Sequence, residues 1–277
     1  MLYRTIKYTL RIYFPLFFNK IHIEGISKVP KDKPIIFAVN HQNTLLDATL
    51  VAYLMRKNTY FLVRSDVFRG KVINWIFKKL YLIPISRGKD KRRNMAEFNR
   101  KTFEKCVQHL AARKPVLIFP EGESKANYQL ASFKKGIARL AFQAEDEHDF
   151  NLEVHVIPVT INYQNHFKGN SDVWIKYCDP VLLGEYKNTF ELSPAKAMNE
   201  FIKNLENTIS ENLVKFKDYN DAKPFFKQAV GQSIHSTTSL IDLFQSWTKS
   251  QGNGSGEQNP SVIKHVVSAI SKAIFFP

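Results

Sequence analysis

Cysteine is nearly absent from this chain: Cys106 and Cys178 are the two in 277 residues. So few excludes a disulfide framework, and their separation lacks the paired spacing of a zinc site. A reducing compartment fits this usage. Long apolar runs are missing too, since every apolar stretch is cut by a charge or a polar cluster before it reaches the roughly 18 to 20 residues that cross a bilayer. The expectation is a chain that lies on a membrane without crossing it. The basic start, MLYRTIKYTLRIYFPLFFNK, resembles a leader, but its apolar part runs only from Ile12 to Phe18 and no small-residue cleavage site follows. It is therefore expected to be retained. Acidic residues are in deficit, 25 against 40 Lys plus Arg, and the formal charge of +15 calls for an anionic partner, acidic lipid or nucleic acid. Glycine is scarce at 11 residues, whereas Phe reaches 22 and Tyr 11, an aromatic share that points to an interface rewarding rings.

What is present is ordinary globular material, 44% hydrophobic and 23% charged, enough for one large α/β core with appendages. Residues 1–20 read as an amphipathic membrane-interface helix, 21–217 as the principal domain, and 218–277 as a helical tail with a flexible linker, QGNGSGEQNP, at 251–260. On a helix over 2–17, Leu2, Ile6, Leu10, Tyr13 and Phe17 share one face and Arg4, Lys7 and Arg11 the other, with Pro15 bending or ending it. That pattern suits both a bilayer surface and docking on the domain. Strands are expected at Ile35–Val39, Tyr60–Val63, Leu82–Ile85, Val116–Phe119, Val154–Ile161 and Val173–Tyr177. Between them, Met95, Phe98, Phe103, Cys106, Val107 and Leu110 recur at helical spacing, as do Phe133, Ile137 and Leu140, which makes Cys106 a core residue. The alternation defines an α/β class. Further on, a helix is expected from Ser193 to about Phe216, then a polar stretch, then another helix around Leu240 to Trp247. A last apolar stripe, Ile263, Val267, Ile270 and Ile274, suits a second interfacial anchor or a packed helix.

Three clusters carry chemistry. In VNHQNTLLD, a strand runs into His41, and Asp47 follows near the start of a helix; a histidine there can take a hydroxyl proton if a carboxylate holds its other nitrogen. In FPEGES, proline and glycine bracket Glu121 in a sharp turn whose amides can cradle an anion, and Lys134 and Lys135 add cations downstream. IPISR ends a strand at Arg87, whose guanidinium suits a phosphate. No Ser or Cys stands in a G-x-S-x-G elbow, which disfavours an acyl-enzyme. No metal cluster is legible.

Taken in this order, the clusters resemble the glycerolipid acyltransferases, the family typified by 1-acyl-glycerol-3-phosphate acyltransferase. NHQNTLLD, LYLIPISR, FPEGES and the apolar block Val156, Ile157, Pro158, Val159 carry the resemblance, which spans roughly 22–180. It implies a mixed, mostly parallel sheet flanked by helices, with 21–217 as an acyltransferase domain. It also implies acyl transfer from a thioester to a hydroxyl of a lysophospholipid, most directly 1-acyl-glycerol-3-phosphate, giving phosphatidic acid. In these terms His41 and Asp47 are catalytic, and Arg87, Glu121, Gly122, Ser124 and Lys134 bind the substrate. No resident cofactor is implied, the co-substrate being an acyl-CoA or acyl carrier protein thioester. Three positions depart from the family pattern. Five residues separate His41 from Asp47 where four are usual, Tyr81 stands where glycine is common, and Glu123 where threonine is common.

The expected setting is peripheral, on the cytoplasmic face of an anionic membrane, without nucleic acid as partner. Glycerol 3-phosphate or an amino-acid lysolipid are alternative acceptors. A non-catalytic basic protein binding lipid or nucleic acid is the alternative outside enzymology; it leaves Pro120, Glu121 and Gly122 without a task.

Overall fold

A computed structural model describes residues 2–44, 46–55, 58–86, 94–233 and 238–252. Arg87, nearly all of the expected linker and the 263–274 stripe lie outside the described residues. Along the chain come α1 (Leu2–Phe17), β1 (Ile21–Glu24), β2 (Ile35–Val39), α2 (Leu46–Leu54), β3 (Tyr60–Arg64), α3 (Lys71–Lys79), β4 (Leu82–Ile85), α4 (Met95–Ala111) and β5 (Val116–Ile118). They are followed by α5 (Gly136–Asp146), β6 (His155–Tyr163), β7 (Val173–Tyr177), β8 (Val181–Leu182), α6 (Lys187–Leu192), α7 (Pro194–Glu211), α8 (Tyr219–Ser233) and α9 (Leu240–Gly252).

The strands form one sheet in the order β1-β7-β6-β2-β5-β3-β4, with β8 paired to β6. The block β6-β2-β5-β3-β4 is parallel throughout, and β7 runs antiparallel to β6. Both faces of the sheet are covered, which is why the central strands read as unbroken apolar runs. Along β2, Ile36 and Ala38 join the core under α4, α5 and α7, whereas Ile35, Phe37 and Val39 face the α1 and α2 side. His41 and Phe119 follow the carboxyl ends of the adjacent parallel strands β2 and β5, the edge where α/β sheets form their ligand crevices.

The N-terminal helix docks on a stripe that overlaps the expected one only in part: Leu10 and Phe17 pack against the core, but Tyr3 and Phe14 are the buried residues of the helix and Tyr13 is exposed. Phe14 and Phe18 are buried against Tyr53 and Tyr163, at ring separations of 5.3 and 6.4 Å, and Tyr3 meets Tyr81 edge-on at 4.9 Å. Lys7, expected on the cationic face, turns inward and its ammonium donates to the carbonyl of Met55. The helix runs through Pro15 to Phe17. Tyr8, Ile12 and Leu16 are left exposed on the side away from the sheet. Among the described residues, no helix is long and apolar enough to cross a membrane.

Three other expectations need correction. The helix expected from Ser193 to Phe216 is α7, which stops at Glu211. The stretch before Leu240, read as merely polar, contains α8; its Ala222, Phe225, Phe226 and Ala229 are buried at helical spacing between lysines. Gln251 and Gly252, expected to open the linker, are the last residues of α9. With α9, α8 closes an aromatic cluster on Phe216, Trp174 and Tyr128. Tyr81 adopts φ 60°, the left-handed region where glycine is at ease, and its ring is held between Tyr3 and Tyr60 while its hydroxyl accepts from the Asn58 amide.

Candidate active site

The site begins where β2 ends. Asn40 continues the pairing with its side chain, whose amide donates to the carbonyl of Ile161 at 3.0 Å and whose oxygen accepts the Ile161 N–H at 2.7 Å. That grip fixes the residue from which His41 departs. The imidazole lies flat against Phe119, with centroids 3.9 Å apart and planes at 14°, which holds the ring in one orientation.

Asp47 is fully buried and receives three donors. His41 Nδ1 lies 2.9 Å from Oδ2, the Asn43 backbone N–H donates to the same oxygen at 2.7 Å, and the Tyr163 hydroxyl donates to Oδ1 at 2.7 Å. Burial pushes the Asp47 carboxyl up from its usual 3.8, and these donors work against that by favouring the anion. A cap on α2 lies between His41 and Asp47 in the chain. The Asn43 side chain accepts the Leu46 N–H at 3.3 Å while Asp47 reaches back to the Asn43 N–H, a reciprocal arrangement like a capping box.

The FPEGES turn is tied to this corner through the backbone. Glu121 is buried; its Oε1 accepts the His41 N–H at 2.6 Å and its Oε2 the Ala131 N–H at 2.9 Å. Both carboxylate oxygens of Glu121, which was expected to hold the acceptor, are thus engaged by amides, and the side chain is a strut between the two corners. Burial pushes its carboxyl up from the usual 4.5 against the pull of those amides. The His41 carbonyl in turn accepts the Lys125 N–H at 3.1 Å. Gly122 has φ 77°, and a Cβ there would lie 3.4 Å from the Lys134 side chain; glycine permits both the turn and the close approach.

His41, Asp47, Glu121, Gly122 and Lys134 therefore come together at one edge of the sheet. Ser124 is half-buried on the same turn, and Lys134 and Lys135 are exposed beside it. Arg87 lies outside the described residues. Its neighbour Ser86 is held by Asn99 of α4, which accepts the Ser86 N–H and donates to the Ser86 carbonyl, each at 2.8 Å. Both thiols are buried, and burial pushes Cys106 up to about 12 and Cys178 up to about 11, which suits core residues and not nucleophiles.

Sequence reasoning missed several supporting residues. Asn40 and Asn43 stand within two positions of His41, and the N-H-Q-N run signals a strand end meeting a helix cap. Phe119 is legible only once β2 and β5 are known to be neighbours. Tyr163 and His166 arrive from more than a hundred residues away. His166 is buried, with Nε2 3.1 Å from Gln42 Oε1, and its carbonyl accepts the Asn43 side-chain amide at 2.9 Å. Tyr128 meets its ring at 4.6 Å and is itself backed by the C-terminal aromatic cluster. Burial lowers the His166 pKa from 6.5 to about 4, so this ring is neutral near pH 7.

Comparison with known proteins places these features. A family model described as Acyltransferase matches residues 20–162, just over half of the chain. The chain is 29% identical over 145 residues to the chloroplastic 1-acyl-sn-glycerol-3-phosphate acyltransferase LPAT1 of Arabidopsis thaliana, covering 52% of this chain and 36% of that one. A Chlamydomonas reinhardtii protein of the same description is 31% identical over 145 residues, with 52% and 39% covered. Glycerol-3-phosphate O-acyltransferase 2 of Saccharomyces cerevisiae is 28% identical over 123 residues, with 44% and 16% covered. The chain thus spans well under half the length of these relatives. The crystal structure of the 1-acyl-sn-glycerophosphate (LPA) acyltransferase PlsC from Thermotoga maritima superposes with a TM-score of 0.53 at 20% identity, covering 76% of this chain and 79% of that one, and it shares the fold.

The buried neutral His166 has a consequence for stability. Its folded-state pKa is depressed, so its contribution is present above the unfolded value of 6.5 and is lost as pH falls toward about 4. The raised carboxyls of Asp47 and Glu121 act in the opposite sense, and comparison with His166→Gln removes them from the difference. Urea denaturation between pH 7 and pH 4 is expected to show a steeper loss for the native protein than for His166→Gln. Equal slopes would contradict the assignment.

Proposed function

The chain belongs to the Acyltransferase family, and from that premise we propose that it moves a fatty acyl group from a thioester to the free hydroxyl of a lysophospholipid. The proposed acceptor is 1-acyl-glycerol-3-phosphate, giving phosphatidic acid. The observation that carries the reading is the buried His41–Asp47 pair at 2.9 Å, at the strand edge that also bears the Gly122 turn and Lys134. The printed descriptions of the algal and plant relatives support the acceptor.

With Nδ1 bonded to Asp47, Nε2 is the nitrogen that takes the acceptor's proton. As it does so, the hydroxyl oxygen attacks the thioester carbonyl and a tetrahedral intermediate forms. The C–S bond then breaks, and the proton passes from the imidazolium to the departing thiolate. Asp47 steadies the imidazolium between these steps. Arg87 and Lys134, with the turn at Gly122, are the groups for the acceptor's phosphate, and Ser124 lies on the same turn; Arg87 has this role on sequence alone. The donor is acyl-CoA or acyl carrier protein. A second reading, glycerol 3-phosphate as acceptor, is favoured by the yeast relative.

The acceptor's acyl chain resides in a bilayer, so the protein is proposed to work peripherally, on a cytoplasmic anionic membrane face. Two surfaces support this. On α1, Tyr8, Ile12 and Leu16 are exposed at helical spacing. On α3, Val72, Ile73 and Trp75 are exposed between Lys71 and the pair Lys78 and Lys79, and the Lys79 ammonium lies 5.9 Å from the Trp75 ring. Apolar rings flanked by cations suit an anionic interface.

Purified protein is to be offered 1-acyl-glycerol-3-phosphate, other lysophospholipids and glycerol 3-phosphate, each with acyl-CoA and with acyl-acyl carrier protein. Product is expected with the lysophosphatidate, and His41→Ala is expected to lower kcat by at least about 10²-fold with the melting temperature retained. Full activity of that variant would sink the mechanism, and product from glycerol 3-phosphate alone would favour the second reading. In a separate measurement, sedimentation with vesicles containing anionic lipid is expected to fall in the double variant Ile12→Glu/Trp75→Glu. Undiminished binding would refute those two faces as the contact.

A further inference from the structure

Tyr163 closes β6 and is fully buried, yet its hydroxyl is not spent on the backbone: it donates to Asp47 Oδ1 at 2.7 Å. We propose that Tyr163 is a positioning residue for acyl transfer, fixing the plane of the Asp47 carboxylate so that Oδ2 faces His41 Nδ1. This rests on the acyl-transfer reading above.

The geometry makes the division of labour explicit. Oδ2 receives two donors, His41 Nδ1 and the Asn43 N–H, which come from the same corner and fix the position of one oxygen. A carboxylate held at one oxygen can still turn about that point. The Tyr163 bond to Oδ1 comes from a different strand and sets the second oxygen, and with it the plane. The carboxylate reaches back to His41 from the second residue of α2, so the His41 corner alone does not set its plane. Burial first, and then the Asp47 charge, push the Tyr163 phenol well above its usual 10, so it remains a donor throughout the working range. Its ring is held by Phe18, the residue after α1, at 6.4 Å and by His166 at 5.5 Å.

The titratable groups facing the pair from the surrounding elements are few. Glu121 bonds the His41 backbone from the turn after β5, and His166, neutral near pH 7, lies beside Tyr163 after β6. Lys125 and Lys134 are exposed on the FPEGES side. Removing one donor from an ionised carboxylate raises the proton affinity of the pair it forms with the imidazole.

Tyr163→Phe keeps the ring and deletes the hydroxyl alone. Acting through Asp47, it is expected to lower kcat by about 10- to 100-fold, the scale seen when a partner behind a functional ligand is removed. The KM for acceptor is expected to stay near the wild-type value, and the acidic limb of the kcat profile to move to higher pH. In an Asp47→Asn background the same substitution is expected to cost nothing further, since its target is gone. A kcat and acidic limb both unchanged in Tyr163→Phe, or costs that multiply in the double variant, would overturn the proposal while leaving the acyl-transfer reading in place. Failure of that reading appears separately, as undiminished turnover in His41→Ala. Should Tyr163→Phe fold poorly, the double-variant comparison is made on Tyr163→Met, a flexible apolar side chain that likewise lacks the donor, and multiplying costs there overturn the proposal equally.

Discussion

A carboxylate buried beside an imidazole is the constraint to which the rest of the site answers. Removing an ion from water costs several kcal/mol even after a protein relaxes around it, so a buried acid persists only where donors surround it. Asp47 collects its donors from three places: the imidazole of the preceding strand end, the cap of its own helix, and the far end of β6. Each donor is itself tied down. Asn40 bonds Ile161 two residues before Tyr163, so β2 and β6 arrive at the carboxylate in register. The pair of polar side chains and the alignment of two central strands are in this way one structure.

The same logic explains a second buried acid. Glu121 is engaged by the amides of His41 and Ala131, and thereby holds the carboxyl ends of β2 and β5 at a fixed separation. Around these two carboxylates the fold supplies cover. Phe14 of α1 and Phe18 just after it lie over the sheet on the Tyr163 side, and the α8–α9 pair backs Tyr128, whose ring rests on His166. A tail without legible chemistry thus stands behind the loop that follows the FPEGES turn.

Much of this was readable from residues alone, for definable reasons. The central strands announce themselves because burial on both faces demands continuous apolar runs, and the spacing of NHQNTLLD, FPEGES and LYLIPISR carries the order of the corners. The four residues of β1 pair with β7 across most of the domain, and nothing local in IHIE signals that partner. The docked face of α1 was only partly legible because the helix bears two apolar stripes, and a helical wheel cannot say which one meets Tyr53 and Tyr163. The structural part that Glu121 plays was not legible for a related reason: sequence locates an acid in a turn but not the amides that engage it. Tyr163 carries no signal at all until β6 is laid beside β2. Tyr81 shows the converse, a departure from glycine whose left-handed backbone explains the usual residue and whose ring finds partners in Tyr3 and Tyr60.

In the proposed mechanism Asp47 holds a proton on His41 Nδ1, leaving Nε2 as the base. Nitrogen-15 NMR of histidine-labelled protein near neutral pH reads this directly. A protonated Nδ1 and an unprotonated Nε2 are expected for His41, with the Nδ1–H signal displaced in Asp47→Asn. A neutral His41 carrying its proton on Nε2 would contradict it.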